Sequence, residues 1–313
     1  MALIEPKNGT CDLPPRPGTA GGDRRDPDDV LAAWQHLLQT HHHLHAPEAA
    51  RLLGVPEAAL VASRIGSGAV RLMPDIAAVL RPVSAWGRVL CAFSNPCGVH
   101  MPLGAVSVAA RGDGALRLSG PHMRAEIDAG AVADAYLFVD RDESHGNTRS
   151  VQFYDAAGAA ILKVFIFHKT RFDAAEGHFA GLAASDQSRT HRAALPAAGR
   201  YDARAVSLAE DPVAAPIEAM DMKSLLADAL SAYPAETGGG FGIETVGDHA
   251  RAVWRGRLSG VRLDERMLHL HETDLRSHLR YGPLLHAART QAGALALDGK
   301  DGRLLRIARE GGR

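Results

Sequence analysis

In the segment "LHLHE", His269 and His271 lie two residues apart. On an extended strand their imidazoles leave the same face, a spacing that suits a shared metal ion. They belong to a chain rich in this residue, with 16 histidines in 313 positions. Four of these crowd into "HHHLHA" (41–46), at the end of the first expected helix. Cations favour the dipole there, and no ligand spacing is imposed. His100, in "GVHMPLG", precedes Pro102 and is expected at a strand end or loop, with a neutral imidazole free to donate. Met101 beside it points to the opposite side. Near the chain end Arg306 and Arg309 offer cations to an anionic group, as do Lys163 and Lys169.

Other chemistry finds no support. G-x-S-x-G, H-E-x-x-H, G-x-G-x-x-G and paired-cysteine motifs are all missing from the sequence. The run "GGGFG" (238–242) lacks the Lys-Ser/Thr of a phosphate-binding loop. Asp140, Asp142 and Glu143 precede a glycine turn and read as a solvated loop.

Lys plus Arg (35) balances Asp plus Glu (36), so no global basic field exists to attract nucleic acid. Residues 46–66 outline a helix-turn-helix without a basic recognition face. Three cysteines do not suit a disulfide framework and point to a reducing compartment. No run is long and apolar enough for a membrane span, and the first residues show no signal-peptide core. The expectation is a cytoplasmic protein without membrane insertion.

Helices are expected from Pro27 through "VLAAWQHLLQT", twice around Gly54-Val55-Pro56, and over "MPDIAAVLRPVSAWG" (73–87). Alternating strands then run from "RVLCAFSN" to residue 168. They end in "RSVQFYDAAGAAILKVFIF" (149–167), a hairpin whose Asp155 starts the turn and whose Gly158 takes positive φ. Val151 and Phe153 share one face, and Gln152 and Tyr154 the other. A helix follows over 173–185. After it come another at "MDMKSLLADALSAY" (220–233) and strands to the end.

Part of this pattern recurs. "RLSG" stands at 117–120 and at 257–260, "MRAEIDAGAVADAYLF" parallels "LHLHETDLRSHLRYG", and "YDAAGAAILKVFI" parallels "LDGKDGRLLRIARE". Three matches in order indicate a duplication. The fold class is therefore α+β, an internal duplication of a unit with largely antiparallel β-sheets and N-terminal helices. The expected division is a disordered tail (1–27), a first repeat (28–185), a linker (186–216) and a second, shortened repeat (217–313).

The segment "RSVQFYDAAGAAILKVFI" resembles the signature Ser-(Ile/Leu)-Gln-Phe-Phe-Asp-x-x-Gly of the cytoplasmic haem-handling proteins HemS, ChuS, HmuS and PhuS. "ARLLGVPEAALVASRIG", "AVRLMPDIAAVLRPVSAWGRV", "NPCGVHMPLGAV", "LHLHETDL" and "DGRLLRIA" are also similar to that family. The resemblance implies two similar halves and haem as the ligand. It implies a carrier or buffer in haem uptake, with a haem oxygenase or an inner-membrane haem importer as partner. A haem-degrading enzyme that releases iron is the second reading. A degenerate member binding another tetrapyrrole or a protein is the third.

The family's axial histidine lies on a helix matched here by "AMDMKSLLADAL", which puts Lys223 in its place. Lysine ligates iron only when deprotonated. Glu126 falls at the family's porphyrin-contacting arginine, with Arg124 two residues before it on the same strand face. His100 matches a family histidine and becomes the candidate iron ligand. His269 and His271 then suit a haem edge, and Arg306 and Arg309 the propionates.

Overall fold

A computed structural model describes residues 26–40, 46–112, 114–142, 146–167, 169–189, 213–216, 222–231, 240–265, 267–284, 286–290, 294–299 and 302–310. Residues 1–25 of the expected tail, the histidines of 41–45, Glu143 and most of the linker lie outside these residues.

The first half opens with α1 (Pro27–Thr40), α2 (Ala46–Leu53) and α3 (Glu57–Ser63), then β1 (Ala69–Leu72) and α4 (Ile76–Leu80). Its remaining strands are β2 (Arg88–Asn95), β3 (Gly98–Ala105), β4 (Ser107–Ala110), β5 (Ala115–Ser119), β6 (Met123–Asp128), β7 (Asp134–Asp142), β8 (Gly146–Tyr154) and β9 (Ala160–Ile166). The helix α5 (Lys169–Ala180) follows them. The second half has β10 (Val213–Pro216), α6 (Met222–Ser231), β11 (Gly240–Val246), β12 (Ala250–Gly256), β13 (Gly260–Leu263), β14 (Met267–Glu272), β15 (Leu275–Arg280), β16 (His286–Thr290), β17 (Leu295–Gly299) and β18 (Gly302–Glu310).

One local expectation is corrected and one strand was not foreseen. The helix over 73–87 is broken into α4 and a short 3₁₀ turn, Val83–Trp86. Pro82 has no N–H to give and its ring crowds the preceding turn, so the α-helix cannot continue. α4 starts where Asp75 accepts the Ala78 N–H at 2.9 Å. The strand β1 goes unforeseen because four residues between glycines and a proline show no clear period. The hairpin turn forms as expected: Gly158 has φ 77°, and the Asp155 carboxylate accepts the Ala159 N–H at 2.9 Å.

The strands form two nine-stranded sheets, ordered β1-β7-β8-β9-β2-β3-β15-β14-β13 and β10-β16-β17-β18-β11-β12-β6-β5-β4. Their ladders are antiparallel throughout. Each sheet takes six strands from one half and three from the other, so the halves exchange the segments β4–β6 and β13–β15. Reciprocal backbone bonds mark the junction. Asp128 N–H donates to the His249 carbonyl and Arg280 N–H to that of Cys97; Leu103 N–H donates to Asp274 and Arg255 N–H to His122.

In each couple the equivalent residues lie 152 positions apart. The closing strands β9 and β18 correspond at a spacing of 143, with Val164 beside Cys91 and Ile307 beside Ile243. The two "RLSG" segments are not equivalent: the first ends β5, whereas the second leads into β13, the counterpart of β4. A four-residue match is too short to set register against strand pairing.

The inner faces of the sheets pack on each other. Cys91, Phe93, Val151 and Phe153 of the first sheet meet Leu116, Leu118, Ile127 and Ala252 of the second. Leu268, Leu270, Leu275 and Leu279 meet Ile243, Trp254, Leu305 and Ile307 in a second cluster, which α6 closes with Leu225, Leu226 and Leu230. Burying each such leucine stabilises by roughly 1.5–3 kcal/mol. The helices α1–α3 cover the outer face of β7 and β8 through Trp34, Tyr136, Phe138 and Tyr154. Tyr154 and Gln152, which share that face, hydrogen-bond each other.

Candidate functional site

On the outer face of β14, the expected pair of histidines gains a third. His278 of β15 sits directly across the ladder from His269. Strand alternation turns Leu268 and Leu270 inward and His269 and His271 outward. One imidazole nitrogen from each of His269, His271 and His278 can be chosen so that all lie within 4.8 Å of one another. His269 Nδ1 stands 2.9 Å from His278 Nδ1, and its Nε2 stands 3.0 Å from Asp264 Oδ2. Burial lowers the His271 pKa below its usual value, as do, to a lesser degree, His269, Arg276 and Arg262. All of these favour the neutral imidazole.

His100 lies on the opposite face of the same sheet. It is in the middle of β3, not at a strand end or loop, because Pro102 is accommodated within the strand facing β15. Its side chain is completely buried, and Nδ1 bonds Ser277 Oγ at 2.8 Å. Burial pulls its pKa down to about 3, so it is a neutral ring. Iron ligation by His100 would require the sheets to part. Its equivalent in the other copy is Ala252, and that of Ser277 is Ala125.

Arg124 and Glu126 do share a face, the outer side of the second sheet. Glu126 is held by Arg117 at 2.7 Å and Arg111 at 3.0 Å, so its charge is met by protein cations. Arg124, Val253, Glu244 and Arg306 fall on one row across four strands. Arg306 lies 4.0 Å from Glu244, which also binds Arg251. The backbone of Arg309 pairs with Phe241, while its side chain lies outside the described residues. Lys223 is half-buried in the first turn of α6. The expected residues therefore distribute over the sandwich interior, two outer faces and a helix, and only the histidines of β14 come together.

A feature missed from sequence joins the two halves. Where β3 passes into β4, beside the β5–β6 and β14–β15 turns, an open cleft of about 540 Å³ has apolar walls from Leu103, Val106 and Met123. Its polar groups include Arg88, His122 and Asp274. Arg88 donates to the Thr273 carbonyl at 3.0 Å. His122 is half-exposed, with Nε2 3.3 Å from Asp274 Oδ2 and Nδ1 3.2 Å from the Arg255 carbonyl. Nδ1 thus faces a carbonyl and Nε2 a carboxylate, both of which can only accept. The signal available was "SGPHM", a Gly-Pro turn between two alternating strands that lifts one histidine onto a loop.

Residues 54–180 match the family described as the haemin-degrading HemS.ChuX domain. That stretch is similar to the HemS/ChuX domain and makes up less than half of the chain. Over 147 residues the chain is 30% identical to the hemin transport protein HmuS of Yersinia pestis, covering 46% of this chain and 42% of that one. Over 133 residues it is 30% identical to the hemin transport protein HemS of Yersinia enterocolitica, covering 42% and 38%. The match thus spans less than half the length of these HemS-type relatives. The fold extends further. Holo-PhuS, a heme-binding protein from Pseudomonas aeruginosa, superimposes with a TM-score of 0.75 at 21% identity over 92% of this chain and 94% of that one. The heme degrading enzyme ChuS of Escherichia coli does so with a TM-score of 0.76 at 20% identity and the same coverage. Among the described residues no helix is long and apolar enough to cross a membrane.

Proposed function

We propose that this protein binds haem in the cleft between its halves and serves in haem uptake and utilisation as a carrier or buffer. The observation that carries the reading is the match of residues 54–180 to a haemin-degrading domain. The cleft suits the ligand chemically. Haem needs an apolar slot, an axial donor and a cation for its propionates. Leu103, Val106 and Met123 supply the first, His122 Nε2 the second and Arg88 the third. Ligation would use the Nε2 lone pair, so iron takes the place of the Asp274 contact. A carrier of this kind would take haem from an importer and pass it to an acceptor such as a haem oxygenase.

Hemin titration of the purified chain, followed at the Soret band, tests this. Wild type is expected to give a saturable shift. His122→Ala should move the band and weaken binding by roughly tenfold or more, since loss of even an outer-shell partner of a ligand costs about 10–100-fold. Arg88→Ala should weaken it by a smaller factor, and His100→Ala should leave the shift unchanged. No saturable shift in wild type sinks haem binding. A shift indifferent to both His122→Ala and Arg88→Ala keeps haem and removes the cleft. Added reductant separates carrier from enzyme: an identifiable tetrapyrrole product formed in the presence of catalase supports degradation.

A further inference from the structure

The three histidines outside the cleft are arranged as ligands. We propose that His269, His271 and His278 form a binding site for a divalent transition metal of the zinc class, with Asp264 orienting His269.

The hydrogen bonds fix the tautomers. Asp264 can only accept, so His269 Nε2 carries the ring proton and His269 Nδ1 keeps its lone pair. That lone pair faces His278 Nδ1 at 2.9 Å, so His278 supplies the bridging proton. On metal binding this proton moves to His278 Nε2, which frees the Nδ1 lone pair for the ion. Two imidazole nitrogens on tetrahedral zinc stand about 3.3 Å apart, given Zn–N bonds of about 2.0–2.1 Å. A change of a few tenths of an ångström opens the pair to that distance. His271, exposed at the edge of the cluster, gives the ion an entrance and a third ligand. A histidine whose second nitrogen is held by a carboxylate is the usual supporting arrangement for a ligand. Three nitrogens leave a fourth position for water or an anion, and Arg262 and Arg276 on the same face favour the anion.

The duplication shows that the sheet does not need histidines here. The residues equivalent to His269 and His278 are Arg117 and Glu126, which face each other across β5 and β6 and form a 2.7 Å ion pair. One copy thus fills these positions with a simple cross-strand pair. The other places three imidazole nitrogen donors and a carboxylate in the same location. Imidazole suits zinc, copper, nickel and iron, and a neutral donor set of this kind discriminates against magnesium and calcium.

The test uses the full chain after chelator treatment, titrated with Co²⁺ and read by visible d–d absorption, then displaced with Zn²⁺. A parallel chain carrying His41→Ala, His42→Ala, His43→Ala and His45→Ala removes binding at the N-terminal histidines. Saturation at one metal per chain is expected in both. His271→Gln, on the exposed edge and tolerant of change, and His278→Ala should each lower affinity more than about 100-fold, and Asp264→Asn by about 10–100-fold. Circular dichroism confirms that each variant is folded. Absence of a saturable signal overturns the site. So does a signal that disappears with the N-terminal histidines, or one unmoved by His271→Gln and His278→Ala. Hemin binding by the same variants is expected to be unchanged, so the two sites fail or stand separately.

Discussion

His100 is the residue whose chemistry burial alters most. Its pKa of about 3 in the fold lies well below the usual value near 6.5. Between those two values the unfolded chain binds a proton that the native state does not, so stability rises with pH through that window. It is complete above about 6.5 and lost progressively below it. From pH 7 to pH 5 this one group removes roughly 2 kcal/mol from wild type, at about 1.36 kcal/mol per unit below 6.5. Urea unfolding at the two pH values should show that loss in wild type and not in His100→Leu. The variant also carries a pH-independent cost of about 1–3 kcal/mol, because Ser277 Oγ loses its partner. An equal pH dependence in both proteins would mean that His100 is not sealed from protons. Cys91 and Cys97 are buried too, and burial pushes both thiols to about 12. Native protein should therefore spare both from thiol reagents, which should label them only after denaturation.

At the scale of elements, the junction β3–β15 matters most, because it joins the halves within the first sheet. Gly98 opens β3 with φ 150°, and a Cβ there would stand 2.1 Å from the His278 carbonyl oxygen. No side chain fits without parting the strands. Gly98→Ala is expected to cost about 2–4 kcal/mol in urea unfolding, a cost that combines strain with lost pairing. The same substitution at Gly104, where nothing lies within 4 Å of the added carbon, should change stability little. A similar loss at both positions would contradict the close approach at Gly98. The β14–β15 pair also links function to fold: its outward residues hold the histidine cluster, and its turn contributes Asp274 to the cleft.

Across the whole molecule, exchange of three-stranded segments makes the halves interdependent. Residues 26–189 alone would keep β3 with an open edge and leave β4–β6 without β12. Open edges and an uncovered apolar face favour aggregation. Each half expressed alone is expected to be insoluble or molten, whereas the two co-expressed should assemble. Thermal unfolding of the intact chain should be one transition. A folded, monomeric 26–189 fragment would show that the exchange is not needed for stability.

The sequence by itself determined the local order: the alternating strands, the first helices, the hairpin at 149–167, the duplication and the resemblance of one segment to haem-handling proteins. These follow from periodicity, turn chemistry and short motifs, which act over a few residues. It also placed His269 and His271 on one face, since period two requires it. Only the tertiary structure decided that His278 and Asp264 join them, because strand pairing brings together residues that sequence keeps nine and five positions apart. Tertiary packing likewise sealed His100 inside, set the repeat spacing at 152 and gathered Arg88, His122 and Asp274 around one cleft. Those outcomes depend on which strands pair across the two copies, and that long-range choice minimises exposed apolar surface over the entire chain.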